Sequence, residues 1–488
     1  MNHSNGITIV GLGPGDPSQL TRQVWDWLQA AAEVYVRSNQ HPTVAGLPHT
    51  VTIHSFDEYY QASERFEEVY ERIIARVLEL GQRQQGVTYA VPGHPYVAEA
   101  TSPEIVRRAK AMGIPVRVME GLSFLEPTFT ALGIDPLPNL TVVDALEVGS
   151  LHVPPFPPSA PALVAQIYSR QVASDLKLTL MNVYPDDHPV RLVHAAGTSE
   201  ELVEDLPLYE IDRSLRTHLL TTLYLPPLAP ETSFEAFQEV VAHLRAPDGC
   251  PWDRQQTHET LRKYLLEEAY EALTALDAED PAAMQEEFGD LLLQIVLHAQ
   301  IASEEGEFSM ADVISGISRK LIRRHPHVFS DVQVENVKGV LTNWERIKEA
   351  ERKSNGEELF GNGLLDGVPR ALPALSQAQE IQDRAARVGF DWSEISPVIA
   401  KVHEELNEVL SAESNAERVG ELGDLLFAVV NLVRWYGMDA ESALRRTNER
   451  FRRRFRHVEE QARVVGRSLA DMSLDEMDAF WDQAKDLE

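Results

Sequence analysis

The feature that most limits what this chain can become is an ordered duplication in its second half. Glu267-Glu268-Ala269-Tyr270-Glu271 recurs as Glu404-Glu405-Leu406-Asn407-Glu408, 137 residues on, and Glu287-Phe288-Gly289-Asp290 recurs as Glu421-Leu422-Gly423-Asp424, 134 residues on. Further along, Lys320-x-x-Arg323-Arg324 answers to Arg450-x-x-Arg453-Arg454, and Trp344-x-x-x-Lys348 to Trp481-x-x-x-Lys485. Four matching elements in one order point to duplication of a structural unit rather than to chance. From Glu231 onward apolar residues fall at three- and four-residue spacing, so both repeats are expected to be all-α. A Gly-rich break from Gly356 to Gly367 separates them.

The first half has a different texture. Short β-branched runs such as Ile7-Thr8-Ile9-Val10, Val87-Thr88-Tyr89-Ala90-Val91 and Val116-Arg117-Val118-Met119 alternate with helical patterns, which reads as α/β. Proline-rich stretches follow at Val153 to Pro161, read as a subdomain linker, and at Leu225 to Pro230, read as a domain boundary. With 488 residues the chain is too long for one ordinary core. The expected fold is multidomain: an α/β domain over 1–228, then helical domains over 232–355 and 368–488.

The acids of the repeats have a spacing that suits a hard cation. Residues three and four apart share a helix face, so Glu268 and Glu271 can reach one ion, as can Glu287 and Asp290 on the next helix. Glu405, Glu408, Glu421 and Asp424 repeat the pattern. Two such helices side by side make an oxygen cage of the kind Mg²⁺ prefers, with Mn²⁺ an acceptable substitute. A Glu-rich helix is by default a solvated face. Here, however, Glu268 falls between Tyr264 and Leu261 on a helical wheel, Glu287 near Leu291 and Met284, and Glu405 beside Val398 and Val409. Carboxylates on such a border are costly unless paired, protonated or bound to metal.

The basic triplets Lys320, Arg323, Arg324 and Arg450, Arg453, Arg454 could grip a polyphosphate or form a surface patch. Trp344 and Trp481 could stack on a base or simply pack.

Leu244-Arg245-Ala246-Pro247-Asp248-Gly249-Cys250-Pro251-Trp252-Asp253, the paired acid motifs and Arg323-Arg324-His325-Pro326-His327-Val328-Phe329 together resemble the MazG family of nucleoside triphosphate pyrophosphohydrolases. The resemblance implies a dimeric all-α fold and Mg²⁺-dependent hydrolysis of a nucleoside triphosphate to monophosphate and pyrophosphate. It implies Glu268, Glu271, Glu287 and Asp290 as metal ligands, with Glu405, Glu408, Glu421 and Asp424 in the second copy. Glu267 and Glu404 are expected to orient or deprotonate the attacking water. Lys320, Arg323, Arg324, Trp344, Lys348, Arg450, Arg453, Arg454, Trp481 and Lys485 are expected to hold phosphates and nucleotide. Where the family often has Lys in the late basic motif, the second copy has Arg450. Both repeats keep all five acids, so both are expected to be competent.

Near the start, Ile7-Thr8-Ile9-Val10-Gly11-Leu12-Gly13-Pro14-Gly15-Asp16 runs from a strand into a Gly-rich turn, where glycine permits close approach of backbone to a ligand. Taken alone it is equally an ordinary strand-to-helix turn. Joined with Pro92-Gly93-His94-Pro95, Gly121-Leu122-Ser123-Phe124 and Tyr184-Pro185-Asp186-Asp187, it resembles the tetrapyrrole methylase family. That resemblance implies two α/β subdomains with S-adenosylmethionine in the cleft between them, lined or shaped by Gly11, Pro14, Gly15, Pro92, Gly93, His94, Pro95 and Ser123. His94 is open to two roles, base or structural contact, and the fold does not fix the methyl acceptor. Two other readings stand beside the hydrolase: a chain that is principally a methyltransferase, and a non-catalytic nucleotide sensor.

Asp and Glu number 76 against 44 Lys and Arg, a net charge of −32, which opposes non-specific binding to nucleic acid or an anionic membrane. Cys250 is the single cysteine, and the N-terminus has no signal-peptide pattern, which fits a reducing cytoplasm. The resemblance implies sites completed by pairing, either of the two repeats within one chain or between chains, and a homo-oligomer is expected.

Overall fold

The computed structural model describes residues 6–63, 65–330, 332–334, 336, 339–340, 343–344, 346–347, 351 and 363–487. Lys348 and the first part of the Gly-rich break, 356–362, lie outside the described residues. By internal contacts the chain forms two compact units, Met1–Arg254 and Gln255–Glu488. The division falls beyond the 228–232 boundary that the prolines suggest, because the helix Phe234–Arg245 and the short turn Pro251–Arg254 group with the α/β unit. Both acidic repeats lie within the second unit.

The first unit holds two sheets. Strands β1 (Ile7–Gly11), β2 (Glu33–Val36), β3 (Thr52–Ser55), β4 (Val87–Val91) and β5 (Val116–Met119) form a sheet in the order β3-β2-β4-β1-β5. Every pair in it is parallel. The near-continuous apolar sequence of β1 and β4 follows from that, since a central parallel strand is covered on both faces. Ile7, Ile9, Tyr89 and Val91 pack with Ile73, Val77 and Ile105 on one side, while Val10 and Ala90 pack with Val24 and Leu28 on the other.

The second sheet contains β6 (Thr141–Asp144), β7 (Ala162–Ala165), β8 (Pro189–His194), β9 (Leu202–Pro207) and β10 (Thr221–Leu225), in the order β6-β7-β10-β8-β9. β6 and β7 are parallel and the other pairs antiparallel. Because β6 already belongs to this sheet, Val153–Pro161 is a loop inside the second subdomain and not the linker between subdomains. The passage from one sheet to the other lies before Thr141.

The second unit is helical. The first copy contributes α1 (His258–Ala278), α2 (Pro281–Glu305) and α3 (Met310–Arg324). After α4 (Ala374–Arg387), the second copy contributes α5 (Ile395–Ser411), α6 (Asn415–Trp435) and α7 (Ala440–Val464), and α8 (Leu474–Asp486) ends the fold. The starts are written locally. Thr257 caps α1 and exchanges hydrogen bonds with Thr260, Asp280 caps α2 ahead of Pro281, and Ser309 pairs with Asp312 at α3. Ser414, Asp439 and Ser473 cap α6, α7 and α8. α1 packs along α2, and α5 along α6, which makes the two antiparallel hairpins that the repeat predicts.

Candidate functional site

The helix pairs bring the acids together. On α1, Glu268 and Glu271 lie on one face, and Glu287 reaches them from α2, with one carboxylate oxygen from each within 4.8 Å of the others. Glu405 and Glu408 of α5 meet Glu421 of α6 in the same way. Asp290 and Asp424, one turn further along, are exposed and stand outside the trios. Asp290 is still close enough to act on Glu268. Burial, then the charges of Asp290, Glu271, Glu267 and Glu287, raise the Glu268 carboxyl above its usual range. Glu287 is raised by burial and by Glu271 and Asp290, and Glu408 by burial and by Glu405 and Glu421. Like charges gathered this closely want a cation. The all-carboxylate donor set fits a hard divalent ion such as Mg²⁺.

Glu405, beside Val398 on the helical wheel, is buried at 5% exposure, whereas Glu268 is only half-buried. A residue not singled out in the sequence explains how that burial is tolerated. Lys401, one turn earlier on α5, donates to Glu405 Oε1 at 2.6 Å and to Glu404 Oε1 at 2.9 Å, and these bonds hold its ammonium above its usual range. The position 137 residues earlier is Tyr264, so the first cage has no matching cation there. The only sequence signal was an i, i+3, i+4 pairing. Glu267 and Glu404, expected to serve the water, are both exposed beside their trios.

The basic motifs fall on α3 and α7. Lys320, Arg323, Arg450 and Arg453 are exposed, while Arg324 and Arg454 are half-buried. In each copy the last arginine lies over a tryptophan: the Arg324 guanidinium is 5.4 Å from the Trp344 ring centre, and that of Arg454 is 5.6 Å from Trp481. Phe451 packs on Trp481 at 4.9 Å. The motifs spaced differently in the two repeats thus converge on one arrangement. In the first copy Glu351 binds both Arg323, at 2.7 Å, and Arg324, at 2.6 Å, a clamp that the sequence did not announce. Lys485 pairs with Asp482 at 2.7 Å.

In the first unit, the glycines cluster at the carboxyl ends of β1, β4 and β5, the edge where open parallel sheets bind ligands. Gly13 and Gly93 exchange backbone hydrogen bonds, N–H to carbonyl, at 3.3 and 2.8 Å. A side chain on Gly11 would come within 2.6 Å of the Gly93 carbonyl and 2.7 Å of the Gly121 nitrogen, so three glycine backbones touch here. Gly93 has φ +65° and Gly15 φ +154°, and a side chain at Gly15 would meet Thr198 from the second subdomain at 2.8 Å. Pro14 and Pro95 are buried, and Pro92 is half-buried.

Ser123 is buried at 2% exposure and is held by the Glu126 carboxylate, to which its N–H and hydroxyl donate at 2.8 and 2.6 Å. The His94 Nδ1 accepts from the Tyr96 N–H at 3.1 Å, which gives that ring a structural partner. Tyr184, by contrast, lies in the core of the second sheet against His188. A cleft of about 510 Å³ lined by Asp187, Arg191, Asp205 and Pro226 runs along β8 and β9, away from the glycines. Gly121, Gly197 and Thr198 complete the glycine cluster and are missing from the residues proposed for it. Gly197 and Thr198 carry no strand-turn-helix signature, and only the approach of the two sheets reveals them.

The two units therefore define a fusion of a methylase-type α/β fold with a duplicated helical fold built around carboxylate trios. The family model of tetrapyrrole (corrin/porphyrin) methylases matches residues 6–212, and that of the MazG nucleotide pyrophosphohydrolase domain matches residues 256–329. The chain belongs to the MazG family and carries an N-terminal tetrapyrrole methylase family domain. It is 45% identical over 491 residues to the uncharacterized protein YabN of Bacillus subtilis (strain 168), with 99% of each chain covered. It is 46% identical over 252 residues to the nucleoside triphosphate pyrophosphohydrolase of Escherichia coli (strain K12), which covers 50% of this chain and 94% of that one. Among solved structures, a uroporphyrin-III-C-methyltransferase from Thermus thermophilus is 21% identical over 45% of this chain and 94% of its own, with a TM-score of 0.38.

Proposed function

We propose that the helical unit hydrolyses nucleoside triphosphates to the monophosphate and pyrophosphate in a Mg²⁺-dependent reaction, and that the α/β unit binds S-adenosylmethionine. The observation that carries the first part is the pair of carboxylate trios, each drawn from two neighbouring helices. A relative 46% identical is a nucleoside triphosphate pyrophosphohydrolase, which agrees with it. Glu268, Glu271 and Glu287, and in the second copy Glu405, Glu408 and Glu421, would hold the metal, with Asp290 and Asp424 beside them. A divalent ion bound there supplies charge compensation for the phosphates and a lowered pKa for a coordinated water. Glu267 and Glu404 would orient the attacking water or accept its proton. Its oxygen bonds to the α-phosphorus as the bond to the α–β bridging oxygen breaks, and pyrophosphate leaves. Lys320, Arg323, Arg324, Arg450, Arg453, Arg454 and Lys485 would offset the leaving group's charge, and Trp344 and Trp481, each beneath an arginine, would border the base.

Binding of S-adenosylmethionine rests on the touching glycine backbones at the ends of β1, β4 and β5. The methyl acceptor follows from neither the fold nor the glycines. A homo-oligomer is part of the same reading, because Leu266, Phe288, Ile322, Leu410, Val419 and Leu426 expose apolar surface on the helices. Among the described residues no helix is long and apolar enough to cross a membrane.

The test is release of pyrophosphate from a panel of nucleoside triphosphates, with and without Mg²⁺. Wild type would be compared with Glu268→Ala, Glu405→Ala and the double variant. Metal-dependent release that is lowered by each single change and abolished by both is expected. Full turnover in either single variant would remove the idea of two equal sites, and no release by wild type would overturn the hydrolase.

A further inference from the structure

A cluster of a different composition lies at the other end of the first helical hairpin. His258 is the first residue of α1, after the Thr257 cap, and Glu305 is the last of α2. Gly306 then takes a left-handed conformation, φ +74°, and the Glu307 N–H donates to the Ala302 carbonyl at 2.9 Å. That turn folds the chain back and sets Glu307 beside Glu305. One ring nitrogen of His258 and one oxygen from each glutamate lie within 4.8 Å of one another.

A second, independent contact fixes the histidine. Nδ1 of His258 faces Nδ1 of His298 at 2.7 Å, with ring planes within 4° of parallel and centroids 5.0 Å apart. At that distance one imidazole N–H donates to the lone pair of the other, which sets the tautomer and the plane of His258. The Nε2 of His298 is buried with no hydrogen-bond partner among the described residues. A hydrogen bond to the second ring nitrogen is what orients a metal-ligating histidine.

We propose that His258, Glu305 and Glu307 form a site for a borderline divalent cation such as Zn²⁺, with His298 as the positioning residue. One imidazole and two carboxylates suit zinc, with water completing its shell, and they do not suit Mg²⁺, which favours oxygen donors alone. The site is separate from the carboxylate trio: ten helical residues divide His258 from Glu268, roughly 15 Å at 1.5 Å per residue. It is confined to the first copy, since the positions matching His258 and His298 in the second are Ile395 and Leu432. A cation there ties the start of α1 to the end of α2.

The experiment is calorimetric titration of the full chain with Zn²⁺ in excess Mg²⁺, which keeps the all-carboxylate cages filled, paired with cobalt(II) visible absorption. Wild type should take up one more equivalent of zinc than His258→Asn or the double variant Glu305→Gln, Glu307→Gln, and the cobalt band should fall with it. His298→Ala should weaken zinc binding about 10- to 100-fold. Both glutamates are exposed, so their variant folds as wild type does. Equal zinc stoichiometry in wild type and the Glu305→Gln, Glu307→Gln variant would overturn the site, and unchanged affinity in His298→Ala would overturn the positioning role. Mg²⁺-dependent pyrophosphate release is not part of the readout, so the outcome is independent of the hydrolase reading.

Discussion

Single residues decide the shape of the α/β cleft through space rather than charge. Gly11 has no room for a methyl group, because backbone atoms of Gly93 and Gly121 flank it and neither can move without breaking the contact between β1, β4 and β5. Gly11→Ala should therefore cost on the order of 1–3 kcal/mol, seen as a lower urea midpoint, and should abolish retention of labelled S-adenosylmethionine in equilibrium dialysis. An unchanged midpoint would show that the loop can give. His41 makes a different kind of prediction. Its ring is 8% exposed and its Nδ1 has no hydrogen-bond partner among the described residues, and burial, then the charge of Arg37, push its pKa down to about 4 from 6.5.

The histidine is thus neutral in the fold, and its full contribution is present above pH 6.5. As pH falls from there towards 4, the unfolded chain binds a proton that the folded chain refuses, so stability drops by an amount on the order of 3 kcal/mol. Denaturant titrations at pH 7 and pH 4.5 should show that loss in wild type and a smaller one in His41→Asn; equal losses would place the acid sensitivity elsewhere.

At the scale of elements, the α1–α2 pair holds carboxylates that repel one another. Glu268 and Glu287 are raised, so the metal-free fold binds their protons more tightly than the unfolded chain does. Their contribution to stability is present at low pH and is lost as pH climbs through the carboxylate range and past the raised values. The helical unit, which does not contain His41, should melt lower in the metal-free protein at pH 7.5 than at pH 5, and Mg²⁺ should recover more of that step at pH 7.5. Glu268→Gln with Glu287→Gln should flatten both effects. If the double variant keeps the wild-type pH dependence, the net charge of −32 rather than the cage is responsible.

The hairpins themselves were legible in advance, because caps such as Thr257, Asp280 and Ser309 and a 3.6-residue period are local instructions. The exclusion of Asp290 and Asp424 from the trios was not, because it depends on where one helix sits along its neighbour.

Across the molecule, the two repeats meet through Asp277 at the end of α1. Arg445 and Arg446 of α7 approach its carboxylate at 3.4 and 3.8 Å, and Arg445 also lies 6.0 Å from the Tyr270 ring centre. Asp277 and Arg445 are only 17% and 20% exposed, so removing one leaves the other poorly solvated. Asp277→Ala should destabilise the helical unit by about 1–3 kcal/mol, and a double-mutant cycle with Arg445→Met should give a coupling of at least about 0.5 kcal/mol. Additive single changes would mean that the copies are joined by apolar packing alone.

The sequence by itself determined the duplication, the acids at helical spacing, the glycine turns after β1 and β4, and the change from α/β to all-α. Each of these is a local pattern, fixed by the period of the backbone and the needs of a turn. Tertiary structure alone decided which three acids converge, that Lys401 pairs with the buried Glu405 of the second cage, that Glu351 clamps Arg323 and Arg324, and that His258 meets His298. It also groups the helix Phe234–Arg245 with the α/β unit, which ends at Arg254. The reason is geometric: distances between residues far apart in the chain are set by how helices and sheets pack, and side-chain spacing along one helix carries no record of its neighbour.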